Sequence, residues 1–524
     1  MDFDFVVVGS GFGGSVAALR LTEKGYKVAV IEQGRRIGPK DVEAADAKPL
    51  RKFFWMPPVN MDGFFTQTIF RHVQIVGGVG LGGGSLVYAA VLLKPKTEFF
   101  KDPVWSGFGV DWETELEPHY ETVTRMLGLT TNPNYDLQDE YLKKTAQAMD
   151  AENTFGPTPN GIYFGKPGVT VKDPFFGGEG PDRTGCELCG DCLSGCGKGA
   201  KNTLDKNYLF LAEKGGAEII TSRKVSHVEP MDGGYRLHLV DPMHPSRSYP
   251  SITANKVVLA GGVLGTLNLL FNSRDVKKTL PKVSPLLGKV VRTNSEAIVA
   301  SLSRDPNEDI TRGSSISSHF YPDEHTHITQ NRFPDGYDFM RFYLGPMVDE
   351  PNPLKRAIKT LWAMVRHPVR STASIMAKNW RKRVSVLTVM QHMDNQISLV
   401  FRRGLFSWFG KKLHSRVPKG QRAPAYLPIA NRAARAYAAN SGGDPLNVTM
   451  ESLLNLSSTA HILGGCHMGT SPDNGVISTD HEVLGYPGLY VADGSAVSAN
   501  VGVNPSLTIA ALAERAMARI EEKK

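Results

Sequence analysis

The chain has few cysteines, no long hydrophobic run and no basic N-terminus. Its 524 residues include only five cysteines, too few for a disulfide framework. No stretch of 18 or more residues is free of polar residues, so the sequence predicts no transmembrane helix. Residues 1–5 carry no Lys or Arg ahead of their short apolar run, so no cleaved secretion signal is expected. A cytoplasmic location is the default expectation.

The composition lacks any extreme, but the charge is unevenly distributed. Apolar residues make up 41% and charged residues 21%, which excludes a disordered or collagen-like chain. At roughly 100–200 residues per domain, the length predicts about two to four structural units. Residues 351–443, the basic block, carry 18 Lys and Arg against one acidic residue, Asp394. This block predicts an anionic partner surface, either a membrane or a nucleic acid.

A glycine-rich turn follows the first predicted strand. Residues 3–8 predict a strand, 13–25 a helix and 27–31 a second strand, which together make a βαβ unit. The turn GSGFGG spans Gly9–Gly14, and Glu32 closes the second strand. Such a turn places a pyrophosphate at a helix N-terminus, and the acid accepts hydrogen bonds from ribose hydroxyls. The spacing therefore predicts dinucleotide binding, and the negative charge of the acid disfavours NADP.

Two later segments also predict contacts with a ligand. Six glycines fall within residues 77–85, and glycine weakens strands, so this segment indicates backbone lying close to a ligand. Its apolar flanks argue against a flexible linker. Near the C-terminus, His461 stands beside a glycine turn, a strand ends in Asp493-Gly494, and Asn504-Pro505 opens a helix. A lone histidine is often only structural; His461 becomes a candidate base because Asn504 can share its hydrogen-bonding position.

On these motifs the chain resembles the glucose–methanol–choline (GMC) oxidoreductases and, among them, the cholesterol oxidase branch. The matching segments are GSGFGGSVAALRLTEKGYKVAVIEQG, GVGLGGGSLVYAA, GAKNTLDKNYL, TAHILGGC and LYVADGS with VGVNPSLTIAALAER. The resemblance implies an α/β (α+β) fold with a Rossmann-type FAD-binding domain and a mixed-sheet substrate-binding domain. The order of the elements predicts a discontinuous FAD domain over 1–100, 186–295 and 455–524, and a substrate domain over 101–185 and 296–454 that carries the basic block.

The resemblance also implies roles for individual residues. His461 and Asn504 would be the catalytic pair over the flavin: His461, or a water it holds, takes the hydroxyl proton, and Asn504 orients the hydroxyl. FAD would be bound non-covalently, because residues 80–91 contain no histidine. The predicted cofactor-binding residues are Gly9, Gly11, Phe12, Gly13 and Gly14 at the pyrophosphate turn, Glu32 at the ribose, Val225 at the adenine, Gly83, Gly84, Ser85 and Tyr88 near the flavin, and Gly261, Asp493, Gly494, Asn504, Pro505 and Ser506.

These assignments predict FAD-dependent oxidation of a bulky apolar secondary alcohol to the ketone, with a 3β-hydroxysteroid such as cholesterol as the first candidate. One alternative is a cluster-linked dehydrogenase that passes electrons from a non-steroid alcohol to a protein or quinone; another is a flavoprotein isomerase without net redox change. The electron acceptor would be O₂ or a redox partner. Steroid isomerisation needs a carboxylate base, and the segment that corresponds to it here, Trp380–Val384, contains none.

Four of the five cysteines lie within eleven residues: Cys186, Cys189, Cys192 and Cys196. The spacing C-x₂-C-x₂-C-x₃-C is that of a bacterial ferredoxin loop, with Gly197 in place of the usual proline. Three interpretations follow. The first is a [4Fe–4S] cluster, which could accept electrons from the flavin. The second is a tetrathiolate zinc site, which would only stabilise the loop. The third is thiols or disulfides without a metal.

The basic block contains a predicted amphipathic helix. Its apolar residues recur at helical spacing from Leu354 to Val369 with Lys and Arg between them, and Trp362 lies among them. Such a helix suits an anionic lipid surface, from which an insoluble sterol would be taken. A solvated charged face is the other interpretation, and no motif supports nucleic-acid binding. The sequence thus predicts peripheral contact with the inner face of a membrane.

Overall fold

The computed structural model describes residues 1–47, 49–404, 410–418 and 420–524. Part of the basic block, residues 405–409 and 419, lies outside the described residues. The α-helices are α1 Phe12–Glu23, α2 Pro39–Ala47, α3 Thr97–Phe100, α4 Pro103–Ser106, α5 Trp112–Met126, α6 Leu137–Ala148, α7 Tyr208–Lys214, α8 Gly262–Phe271, α9 Pro353–Arg366, α10 Pro368–Met376, α11 Trp380–Arg383, α12 Pro428–Asn440, α13 Thr449–Leu454 and α14 Ser506–Ala518.

A first sheet is built around the N-terminal βαβ unit. Its order is Glu218–Ile220, Val28–Ile31, Phe3–Val8, Ser248–Leu259, Gly234–Val240 and Lys224–Met231, and Leu489–Val491 also pairs with Ser248–Leu259. The pairs around Phe3–Val8 are parallel, whereas those of Gly234–Val240 are antiparallel. Its central strand is a buried β-branched run, as parallel strands covered on both faces require.

A second sheet has the order Leu344–Pro346, Gly443–Val448, Ala297–Ser303, Val384–Gln391, Thr326–Asn331, Ser318–Phe320 and Gly156–Pro157. Its strand pairs are antiparallel, a difference in detail from the mixed sheet expected there. α12 packs on Ala297–Ser303 and buries an alanine-rich face against it. The predicted α/β (α+β) class is confirmed, while the predicted domain boundaries stay a prediction.

Short strands connect the two large sheets. Phe65–Ile69 pairs with Val73–Gly78, and Val73–Gly78 pairs in parallel with Ser457–Thr459. The remaining two-stranded pairs are Val291–Arg292 with Leu463–Gly464, Ser398–Arg402 with Lys412–Arg416, Thr170–Val171 with Arg183–Thr184, Trp55–Met56 with Met61–Asp62, and Thr130–Thr131 with Pro159–Asn160. The pair of Val291–Arg292 with Leu463–Gly464 and the pair of Val73–Gly78 with Ser457–Thr459 position the segments that form the candidate site.

Three helical regions of the chain are interrupted by local breaks. The stretch 112–150 is two helices, because Gly128 takes a φ of +56° and Asp136 starts α6 with a capping box. The stretch 354–383 is three helices, with Pro368 opening the second. Only Tyr208–Lys214 of the stretch 202–214 is α-helical, and Asn207 caps it.

Candidate active site

The first βαβ unit forms a cavity of about 150 Å³ at the carboxyl ends of its strands. This is where dinucleotides bind in open parallel sheets. Seven of the predicted cofactor-binding residues line it: Gly9, Gly11, Glu32, Gly83, Gly84, Val225 and Gly261. The fold therefore brings residues from five separate segments of the chain to one cavity.

Close backbone contacts explain two glycines of the turn. Gly9 has a φ of +101°, and a Cβ there would lie 2.3 Å from the carbonyl oxygen of Ala260. A Cβ on Gly13 would lie 1.5 Å from the carbonyl oxygen of Ala492. By contrast, nothing lies within 4 Å of a Cβ placed on Gly11, which lines the cavity. The N-terminus of α1, where Gly11 is the N-cap, is thus open to an anionic group such as a pyrophosphate, while Phe12 is buried in the core.

Glu32 is buried at the end of its strand. Its Oε2 accepts hydrogen bonds from Ser10 Oγ at 2.6 Å and Ser10 N at 3.1 Å, and its Oε1 accepts one from Gly34 N at 2.8 Å. Burial raises the pKa of Glu32, and these hydrogen bonds act in the opposite direction. They hold the carboxyl group at the cavity, where the sequence predicts the ribose.

Other predicted residues have structural partners of their own. Gly14 packs against the carbonyl oxygen of Gly9. Ser85 donates to Gly82 O at 2.7 Å and accepts from Leu204 N at 3.1 Å, so it ties the glycine-rich segment to the chain before α7. Tyr88 donates to Asn202 O at 2.6 Å, and its ring lies edge-on to Phe12 at 5.5 Å.

The C-terminal segment lies against the start of α1. Asp493 is buried and accepts hydrogen bonds from Thr266 Oγ1 at 2.5 Å and Ser495 N at 2.8 Å. Burial raises its pKa. Gly494 follows, close to Leu463, and Pro505 and Ser506 begin α14. The specific cofactor contacts of these residues stay a prediction.

His461 and Asn504, 43 residues apart in sequence, meet. Asn504 Nδ2 lies 3.2 Å from His461 Nε2. The parallel pairing of Ser457–Thr459 with Val73–Gly78 brings His461 beside the glycine-rich segment. Within the described part of the chain, the buried Asn504 Oδ1 has no hydrogen-bond partner. An unsatisfied buried acceptor marks the place where a ligand hydroxyl would bind.

A residue that the sequence analysis missed completes this pair. Glu296 is 2% exposed, and its Oε1 lies 2.9 Å from His461 Nδ1. Thr459 Oγ1 and Ala460 N also donate to its carboxylate. A carboxylate only accepts, so the Nδ1 proton points at Glu296 and the Nε2 lone pair faces Asn504. These two contacts form the Glu296–His461–Asn504 row, which holds His461 in the tautomer that carries its proton on Nδ1.

Only a weak signal in the sequence pointed to Glu296. It precedes the apolar run of the strand Ala297–Ser303, where an acid is unusual, but it is 165 residues from His461. The pairing of Val291–Arg292 with Leu463–Gly464 closes that distance. The segment Trp380–Val384 contains no acidic residue. Trp380 is fully buried in the apolar cluster that includes Val384 and Val386, and its indole N–H donates to Ser374 Oγ.

The four clustered cysteines surround a second cavity, of about 460 Å³. All four are free thiols, as is the fifth, Cys466. Burial raises the pKa of Cys186 to about 12 and also raises those of Cys189 and Cys192. Across the described ranges of the chain, no group of three or more His, Cys, Asp or Glu side chains could hold a metal ion.

Comparisons with known proteins agree with this geometry. A family model described as GMC oxidoreductase matches residues 350–513, and one described as an NAD(P)-binding Rossmann-like domain matches residues 7–40. The crystal structure of pyridoxine 4-oxidase from Mesorbium loti superposes with a TM-score of 0.63, covers 98% of both chains and is 16% identical. That likeness concerns the fold alone.

Relatives of known activity extend along the whole chain. The cholesterol oxidase of Mycobacterium tuberculosis is 43% identical over 98% of this chain and 90% of its own length. The cholesterol oxidase of Acinetobacter baumannii is 39% identical over 100% of this chain and 95% of its own. The 2-methyl-1,2-propanediol dehydrogenase of Mycolicibacterium austroafricanum is 24% identical over 98% and 94%.

Proposed function

Because the chain belongs to the GMC oxidoreductases and to their cholesterol oxidase-like branch, we propose that it oxidises a 3β-hydroxysteroid such as cholesterol to the ketone. It is an FAD-dependent alcohol oxidoreductase. The single observation that supports this reaction best is the Glu296–His461–Asn504 row beside the glycine-lined cavity. A base, an orienting amide and a dinucleotide cradle are the parts that alcohol oxidation by a flavin requires.

The residues present fit FAD. The open face of Gly11 and the first turn of α1 suit its pyrophosphate, and Glu32 suits its ribose. When bound, FAD supplies the acceptor for the carbinol hydride. The proposal includes non-covalent attachment through the residues predicted from the sequence.

The chain's own contribution is to hold and move a proton. The substrate hydroxyl displaces the Asn504 amide from the His461 Nε2 lone pair, which then accepts the hydroxyl proton, and Asn504 orients that hydroxyl. The imidazole becomes positively charged as it takes the proton, and the Glu296 carboxylate at Nδ1 stabilises that charge. Burial of Glu296 keeps water from weakening this interaction.

Anaerobic addition of cholesterol to the holoenzyme tests the proposal. The yellow flavin absorption should bleach, and cholestenone should appear in an amount equal to the reduced flavin. A parallel addition of a short-chain alcohol serves as the control and should bleach the flavin far more slowly. Bleaching by the short-chain alcohol alone would overturn the sterol assignment, and conversion of a substrate without bleaching would favour an isomerase.

The proposal also assigns a membrane contact to α9 and α10. The inner face of α9 is anchored, because Arg356 donates to Glu451 O and Asn455 Oδ1 and Thr360 is fully buried. The opposite face is exposed and apolar, with Trp362 at 58% and Val365 at 81% exposure. Further exposed apolar side chains of this face are Leu354, Ile358, Leu361, Val369 and Met376.

Cations border this apolar face, so the surface it fits is an anionic bilayer. Lys355 and Lys359 are exposed, and the Arg366 guanidinium lies 4.7 Å from the centre of the Trp362 ring. An amphipathic helix of this composition lies in the headgroup region. No helix among the described residues is long and apolar enough to cross a membrane. The proposal therefore keeps the enzyme cytoplasmic with peripheral contact at the inner face.

Vesicle sedimentation tests the membrane contact. The protein should bind phosphatidylglycerol vesicles and bind phosphatidylcholine vesicles much less. The double variant Trp362→Ser/Val365→Ser should lose most of this binding, whereas Val276→Ser, which alters another exposed apolar residue, should not. Equal binding of the double variant and the original chain would contradict the contact.

The electron acceptor in the proposal is O₂ or a redox partner. The cavity bounded by four cysteines favours an iron–sulfur cluster as a second cofactor, and thus the partner over O₂.

A further inference from the structure

The cavity beside the four cysteines is suited to a group larger than one metal ion. Cys186, Cys189, Cys192 and Cys196 all line it, and its volume is about 460 Å³. A single zinc ion needs its sulfurs about 2.3 Å away, and among the described residues no group of three or more His, Cys, Asp or Glu side chains could hold one metal ion. A cluster of four irons and four sulfides instead keeps its thiolate ligands apart around a common volume.

Two buried cations next to the cysteines have no anion as a hydrogen-bond partner. Lys201 is 1% exposed, and its ammonium donates only to main-chain carbonyls, at 2.9 Å to Leu86, 3.1 Å to Tyr88 and 2.7 Å to Cys192. Arg183 is equally buried, and its Nε and Nη1 have no partner in the described part of the chain. A buried cation is costly unless an anion lies nearby. Asp205 acts electrostatically on both cations, and a cluster held by four thiolates would add to its negative charge.

The cysteine cavity is joined to the cofactor cavity through the glycine-rich segment. Gly83 and Gly84 line the cofactor cavity, and the carbonyls of Leu86 and Tyr88 are held by Lys201. Lys201 also holds the carbonyl of Cys192. The Tyr88 ring lies against Phe12 and packs against the apolar cluster that contains Ala90 and Cys192. Leu86 and Tyr88 thus lie between Gly84, which lines the cofactor cavity, and Lys201, which lines the cysteine cavity.

We propose that Cys186, Cys189, Cys192 and Cys196 bind a [4Fe–4S] cluster that takes electrons from the reduced flavin, with Lys201 as its buried counter-cation. The electron-transfer part rests on the proposed alcohol oxidation. Each alcohol releases two electrons with its hydride, and the cluster carries one at a time. Two successive transfers therefore pass through it to a one-electron acceptor protein, while the alcohol is oxidised to the ketone and two protons are released.

Iron analysis and EPR spectroscopy of anaerobically purified holoenzyme test the site without any alcohol. We expect about four irons and four labile sulfides per chain, and an EPR signal after dithionite reduction. Cys189→Ser should lose most of the iron while the flavin stays bound and still bleaches with cholesterol. Cys466→Ser is the matched control, because that buried cysteine lies outside the loop, and it should keep its iron.

Anaerobic cholesterol then tests the electron route. The same EPR signal should appear with cholesterol in place of dithionite, and ferricyanide should restore both the flavin colour and the oxidised cluster. Absence of iron, or one zinc per chain, would overturn the proposal whether or not the flavin bleaches. A cluster that dithionite reduces but cholesterol does not, while the flavin bleaches, would overturn the electron route. Failure of the flavin to bleach would instead refute the proposed alcohol oxidation, and the dithionite signal would still decide the site.

Discussion

Two regions that meet at the glycine-rich segment have opposite buried charges behind their reactive groups. Behind His461 stands the Glu296 carboxylate, at 2.9 Å. Beside the four cysteines stands the Lys201 ammonium, bonded to the carbonyl of Cys192. In the proposed mechanism the imidazole gains positive charge when it takes a proton, and in the proposed cluster the thiolates carry negative charge, so each proposed working state has a buried group of opposite charge beside it. In both regions the buried partner, the Glu296 carboxylate or the Lys201 ammonium, has the charge opposite to the one that the neighbouring reactive group would acquire.

Removing the base should have the largest effect. His461→Ala is expected to lower turnover by about 10²-fold or more, because no other described side chain takes its place at Asn504. FAD should stay bound, since the cofactor cavity is lined by other segments. Steady-state kinetics and the flavin spectrum measure both effects. Turnover equal to that of the original chain would remove His461 from the mechanism.

Removing the charge behind the base should have the next largest effect. Glu296→Gln is expected to lower turnover by about 10-fold, because the amide no longer stabilises the protonated imidazole or selects its tautomer. The acidic limb of the pH–rate profile should also move to lower pH, a shift that a purely structural role would not produce.

Glu451→Gln is the matched control for this change. Burial raises the pKa of Glu451 well above its ordinary value, and an amide at this position can still accept the hydrogen bond from Ile298 N. Activity within about twofold of the original chain is expected. Equal losses in the two variants would show that Glu296 acts only through packing.

Removing the Lys201 cation beside the cysteines should have the smallest effect on alcohol oxidation. Lys201→Met should change the rate of flavin reduction by cholesterol by less than about twofold, as followed by anaerobic stopped-flow absorbance. It should lower the free energy of unfolding by about 1–3 kcal/mol, because the carbonyls of Leu86, Tyr88 and Cys192 lose their donor.

Lys198→Met, an exposed residue paired with Glu187, controls for the loss of charge and should leave stability nearly unchanged. A large loss of flavin reduction in Lys201→Met would show that the cysteine region and the His461 region do not act independently.

The sequence identified the residues whose positions are set by the local backbone geometry. The turn Gly9–Gly14 lies between a strand and a helix, and its spacing reports the local backbone. The strand Leu489–Val491 precedes Asp493 and the helix α14 follows Pro505, as the sequence predicts, because their apolar runs are continuous. Glu296 and Lys201 were missed, because single charged residues in polar-looking surroundings carry no periodic signal.

By itself the sequence determined the dinucleotide turn, the βαβ unit, the family and the candidate pair His461 and Asn504, which the structure brings together. These depend on short-range geometry: a glycine with positive φ, a helix N-terminus, an apolar strand. Only the tertiary structure decided which buried charge stands behind each reactive group. Such partners are joined by strand pairing across as many as 165 residues, and the electrostatic energy depends on distance and burial in space rather than on separation along the chain.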